Sequence, residues 1–222
     1  MHACPTSEPR VAAPVSVPSG GVLLEGELVI PSLARGVVVI ADGSGRGRTS
    51  PRSTSVAQWL RDEANAATLL VDLVPPEESS RGDLPEDLRF DVPRLGERLL
   101  AVREWLGDDA RTRALRVAYF GVGVGAAAAL VAAGTRPNVA AVISGGGRPD
   151  LTARELLVRV EAPTLLVVPG RDEHVIELNL QAQRHLRTES ALEMIPGATH
   201  LQEPSALLEV AKRASTWLRR FL

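Results

Sequence analysis

The sequence predicts a single α/β domain: a mostly parallel central sheet with helices on both faces. Three observations predict it. The 222 residues are one domain's worth of chain, long enough to bury a full core. Short apolar runs recur along the chain and are nearly continuous, as in strands buried on both faces. Longer stretches between them carry apolar residues three and four apart, the period of an amphipathic helix. The resulting order, β-α-β-α-β-α-β, calls for right-handed crossovers and puts helices on both sides of the sheet.

Taken in order, residues 1–13 (MHACPTSEPRVAA) are rich in proline and small residues and are expected to form a loose tail, with the domain spanning 14–222. They show neither the basic nor the apolar segment of a secretory leader, which makes the cytoplasm the default compartment. VLLEGELVI (22–30) alternates weakly and precedes Pro31, as an outer strand would. VVVIA (37–41), ATLLVDL (67–73), LRVAYF (115–120), VAAVIS (139–144) and PTLLVV (163–168) are the buried strands, with ALEMI (191–195) as the last. Helices are expected over 51–66, through Val56, Leu60 and Ala64, and over 92–106, through Leu95, Leu99, Val102 and Leu106. The small apolar stretch 125–133 reads as a buried helix. Leu207, Val210, Ala214, Leu218 and Phe221 mark an amphipathic C-terminal helix.

Composition excludes several classes. The 25 basic and 27 acidic residues nearly cancel, to a net charge of -2, so neither nucleic acid nor an anionic membrane is an expected partner. Cys4 is the one cysteine, which rules out an intramolecular disulfide and a cysteine-based zinc cluster. No apolar run reaches the roughly 18 residues needed to span a bilayer. A metal site from Asp42, His174 and His200 has no supporting ligand spacing, and no cofactor is implied. A small-molecule substrate is the expected partner, with a homodimer left open.

The chemistry concentrates in loops that follow strands, where ligands bind in such sheets. YFGVGVGAAAALVAA puts Gly121, Gly123 and Gly125 between a strand and a buried small-residue helix, the setting of a nucleophile elbow, G-x-S-x-G. VVPGRDEHV then puts Asp172 after a buried strand, and IPGATHLQEP puts His200 after the last strand. Nucleophile, acid, histidine is the chain order of the corresponding triad. On these residues the chain resembles the α/β-hydrolase superfamily, and within it the dienelactone-hydrolase-like group, over nearly its whole length from about Val22. DGSGRGRTSPRS is similar to that group's oxyanion loop, which commonly reads HGSGSSRHSPRN. SGGGRPD, GRDE, PGATH and FDVPRLGERL match further phrases of the group.

The resemblance implies an α/β-hydrolase fold, with Asp172 orienting His200 as general base and oxyanion donors from the backbone N–H of Val124 and from Gly43 and Ser44. Two departures stand out. Gly123 occupies the elbow centre, where the group has serine or cysteine, and Asp42 stands where it commonly has histidine. Glycine has no side chain to attack a carbonyl, so the acyl-enzyme route is closed at that position. An ionised Asp42 about 6 Å from a developing oxyanion would oppose it by roughly 3 kcal/mol at an effective dielectric of about 20, whereas a protonated one could donate to it. Ser144, Arg148 and His174 are further candidate ligand contacts. Against them stand ordinary roles: a strand-end hydroxyl, a pair with Asp150, and the flank of a turn. Asp172 has its own ordinary reading, the cap of a helix beginning near Val175.

Three functions follow. The first is an enzyme on a small ester, lactone or related carbonyl compound that works without a covalent intermediate, or a cyclase, lyase or isomerase needing only acid–base groups. The second is an ordinary esterase or lactonase carrying an engineered glycine. The third is a ligand-binding pseudoenzyme.

Overall fold

The apolar runs become strands of one eight-stranded sheet, ordered Arg10–Ser19, Val22–Pro31, Ala67–Val71, Gly36–Asp42, Arg116–Val122, Val142–Gly145, Thr164–Pro169 and Ser190–Ile195. The computed structural model describes residues 10–42, 47–75, 77–78, 91–201 and 203–222. In chain order the elements are β1 (Arg10–Ser19), β2 (Val22–Pro31), β3 (Gly36–Asp42), α1 (Pro51–Ala64), β4 (Ala67–Val71), α2 (Val92–Asp108), β5 (Arg116–Val122) and α3 (Val124–Thr135). There follow β6 (Val142–Gly145), a 3-10 turn (Pro149–Leu151), a short α4 (Arg154–Leu157), β7 (Thr164–Pro169), α5 (Glu173–Gln183), β8 (Ser190–Ile195) and α6 (Pro204–Phe221).

Residues 10–13, expected in the tail, are instead the first residues of β1, paired from Arg10 opposite Pro31. Gly20 and Gly21, both at positive φ, close the two-residue turn that lays β1 antiparallel on β2. Within β1, Val15 and Val17 are buried while Pro14, Ser16 and Pro18 are exposed, the alternation of a strand with one wet face. Its prolines fit an edge strand, which is where proline is tolerated. β2 also pairs antiparallel with β4, and every later pairing is parallel.

Period-two side chains divide the core into two layers. Val37, Val39 and Ala41 of β3 face the layer beneath α2 and α3, with Leu95, Leu99, Tyr119 and Leu130. Val38 and Ile40 face the opposite layer beneath α1 and α6, with Val56, Leu60, Phe120, Val210 and Leu218. Each helix begins where its sequence dictates. Ser50 accepts from the Ser53 N–H ahead of Pro51, and Asp91 accepts from the Arg94 N–H ahead of α2. Asn65, at φ 47°, ends α1 in a left-handed cap. α3 has no polar face because it is buried on nearly all sides between the sheet, α2 and the segment that follows β6.

Two buried polar groups bear on stability. The Arg98 guanidinium donates to the Leu73 carbonyl at 2.7 Å and to both Glu78 oxygens at 2.6 and 2.8 Å, tying the loop after β4 to α2. The Tyr119 hydroxyl is buried without a hydrogen-bond partner, and burial pushes its ionisation above the ordinary tyrosine range. No helix among the described residues is long and apolar enough to cross a membrane.

Candidate active site

The order of the sheet fixes where a ligand can sit. From β3 the chain crosses to β4 on one side, then returns to β5 on the other, so the connections diverge between β3 and β5. A crevice forms at the carboxyl ends of strands at such a switch point. A cavity of about 250 Å³ lies there, and its lining includes Asp42 from the end of β3, Gly123 from the β5–α3 turn, Asp172 from the loop after β7, and His200 from the loop after β8. Four residues far apart in sequence thus share one cavity. Ile40, Val56, Phe120, Val122, Leu207 and Val210 supply apolar wall.

The β5–α3 turn is sharp for a visible reason. A Cβ on Gly121 would lie 2.3 Å from Ala126 Cα and 2.5 Å from its N, so strand and helix approach too closely for any side chain there. Gly123 differs. Its backbone sits at φ 57°, ψ -121°, yet a Cβ there would meet nothing within 4 Å among the described residues. Conformation, not space, is what favours glycine at the centre of the turn. The Gly123 carbonyl accepts from the N–H groups of Ala126 and Arg148, both at 3.2 Å, fixing the turn to the segment after β6. Val124 opens α3, so its N–H has no acceptor one turn back in the helix.

Asp172 and His200 share the cavity, but among the described residues no hydrogen bond joins them. Asp172 Oδ1 instead accepts from the Val175 N–H at 3.0 Å and caps α5, the ordinary role weighed for it above. His200 is exposed at the cavity mouth. Asp42 accepts from the Ser53 hydroxyl at 3.2 Å. Ser53 is itself buried at 4% exposure and lines the cavity with Ser50 and Arg52. These three were not singled out in the sequence. The signal available was their place in SPRS, a capping serine and a proline opening a helix straight after the glycine-rich loop.

Of the further candidate contacts, Ser144, Arg148 and His174 are not among the described residues that line the cavity. Ser144 is fully buried with its hydroxyl unpartnered, and Gly147 packs so closely that a Cβ there would lie 2.1 Å from Ser144 Oγ. Arg148 is held by Asp150 in a two-pronged pair at 2.9 and 2.7 Å. His174 is exposed on the first turn of α5. Gly43 and Ser44, the expected oxyanion residues, lie outside the described residues. Among the described residues no group of three or more His, Cys, Asp or Glu is placed to hold a metal ion.

A mostly parallel eight-stranded sheet, a sharp glycine turn into a buried helix, and an acid and a histidine from later loops define an α/β-hydrolase fold. Comparison with known proteins takes this further. The crystal structure of a dienelactone hydrolase from Anabaena variabilis superposes with a TM-score of 0.90 at 47% identity, covering 96% of this chain and 99% of that one. The chain belongs to the dienelactone-hydrolase-like family. Est1E from Butyrivibrio proteoclasticus shares the fold, with a TM-score of 0.75 at 15% identity over 93% of this chain and 98% of that one. Among curated proteins, a Mycobacterium tuberculosis protein named "Putative phosphoribosyl transferase" is 48% identical over 206 residues, 91% of this chain. This chain spans 45% of that relative's length. No family model matches the chain.

Proposed function

We propose that this chain binds a small ester, lactone or related carbonyl compound in the cavity and acts on it without forming a covalent acyl intermediate. The observation that carries the reading is Gly123. It holds the centre of the turn, where a Cβ would meet no described residue within 4 Å, in the same cavity as Asp172 and His200, and offers no attacking atom. His200 would then take a proton from water as its oxygen adds to the carbonyl carbon. The Val124 N–H would receive the developing oxyanion. On collapse the alkoxide leaves and takes the proton back from His200, so acid and alcohol are the products.

Binding without turnover is the second reading, and one observation favours it. Asp172 is bonded to the Val175 N–H, and an imidazole without its orienting carboxylate is a poorer base. Steady-state hydrolysis of p-nitrophenyl acetate by the wild type and by His200→Ala separates the two. A rate above background that His200→Ala removes supports the enzyme. Equal rates for both proteins, with the ester still bound, support the binding protein and end the enzyme reading.

A further inference from the structure

A second apolar hollow of about 240 Å³ lies against the first, between α1 and α6. Its lining includes Trp59, Pro204, Leu208 and Ala211, and among the described residues it shares two with the cavity, Val56 and Leu207. Both hollows therefore end on the same two side chains, one from each helix. Val56 is 2% exposed and wedged in the core, whereas Leu207 is only half-buried. We propose that Val56 and Leu207 form the partition that sets how long an apolar chain the ligand can carry. This rests on the reading that the cavity takes an ester or related carbonyl compound, and it adds the limit on that compound's size.

The physical argument is short. The cavity's polar groups include Asp42, Asp172, His200 and, at the start of α1, Ser50, Arg52 and Ser53; Val56 further along α1 and Leu207 and Val210 on α6 are the apolar wall left to receive a hydrocarbon chain. A chain growing along that wall meets Val56 and Leu207 before it reaches the outer hollow. Cutting either side chain back to alanine joins the two spaces and lets further methylenes leave water. Each methylene so buried tightens binding about fourfold. Trp59 lines only the outer hollow of the two and lies one turn beyond Val56 on α1, so its fluorescence reports entry there.

The test uses the intact chain with ethyl butyrate and ethyl octanoate as probes, binding read by calorimetry and Trp59 entry by emission in a Trp105→Phe/Trp217→Phe background, which leaves Trp59 as the one tryptophan. In the wild type the two esters should bind within a few-fold of each other, with no emission change from either. In Val56→Ala the preference for octanoate over butyrate should rise at least tenfold, and octanoate alone should shift the emission. Leu207→Ala, at a less buried position, makes the same test should Val56→Ala fold poorly. An unchanged preference in a folded variant that still binds butyrate overturns the partition and leaves the ester reading standing. Octanoate shifting Trp59 in the wild type also overturns it. If neither ester binds the wild type at millimolar concentration, the ester reading falls and the partition falls with it.

Discussion

Gly123→Ser puts an attacking oxygen where the turn has none. A Cβ at this position meets no atom of the described residues within 4 Å, so the side chain enters without moving them. The cost is conformational: an L-residue held at φ 57° loses about 1–3 kcal/mol. In a domain of this size that lowers Tm by roughly 2–4 °C per kcal/mol, and Gly123→Ala should show the same loss. The gain has a ceiling, because removing the serine from a complete triad costs on the order of 10⁶-fold in kcat. An ionised Asp42 would take back part of it: at ~6 Å and an effective dielectric of ~20 a charge there opposes the oxyanion by ~3 kcal/mol, about a hundredfold. The missing bond between Asp172 and His200 lowers the gain further. Hydrolysis of p-nitrophenyl acetate should therefore rise at least tenfold in Gly123→Ser, with a burst of one equivalent of p-nitrophenol, and rise again in Gly123→Ser/Asp42→His. Gly123→Ala should show no gain. A double variant that folds, keeps Tm within the range above and hydrolyses no faster than the wild type would refute the view that the missing attacking atom is what limits hydrolysis.

Gly121→Ala should destabilise well beyond Gly123→Ala in urea melts, by upwards of about 3 kcal/mol, because its Cβ meets the Ala126 backbone at 2.3 Å; equal stability of the two would contradict the packing described here. Asp172→Ala should cost about 1 kcal/mol through loss of the α5 cap, while Asp172→Asn, which still accepts from the Val175 N–H, should retain most of it in thermal melts. Tyr119 gives a pH dependence. Its folded ionisation is raised by burial, so above about pH 10 the unfolded chain releases a proton that the folded chain keeps, and stability falls as pH rises. Tyr119→Phe should flatten that alkaline fall without loss at pH 7, since the hydroxyl it removes has no partner.

Much of this fold was legible because its signals are local. VVVIA and, after Arg116, VAYF are apolar at consecutive positions, as in a strand covered on both faces, and β3 and β5 are those strands. The β1 strand was missed because Pro14 and Pro18 read as tail, although Val15 and Val17 alternate with them. Proline on an edge carries that ambiguity, and only pairing with β2 resolves it. The convergence of Asp42, Gly123, Asp172 and His200 was legible from their places after strands. Side-chain partners were not. Whether Asp172 bonds His200 or its own helix, and whether Ser144 faces the cavity or lies under Gly147, depends on packing between segments distant in sequence.

The central claim is that no side chain of this protein forms an acyl-enzyme. The most direct measurement is intact-mass spectrometry of the wild type after exposure to a fluorophosphonate, which reports activated serines, and to p-nitrophenyl acetate. The account predicts the unmodified mass with both reagents, and a one-equivalent adduct only after Gly123→Ser. A stoichiometric adduct on the wild type, most tellingly at Ser50 or Ser53 in the cavity wall, would contradict it.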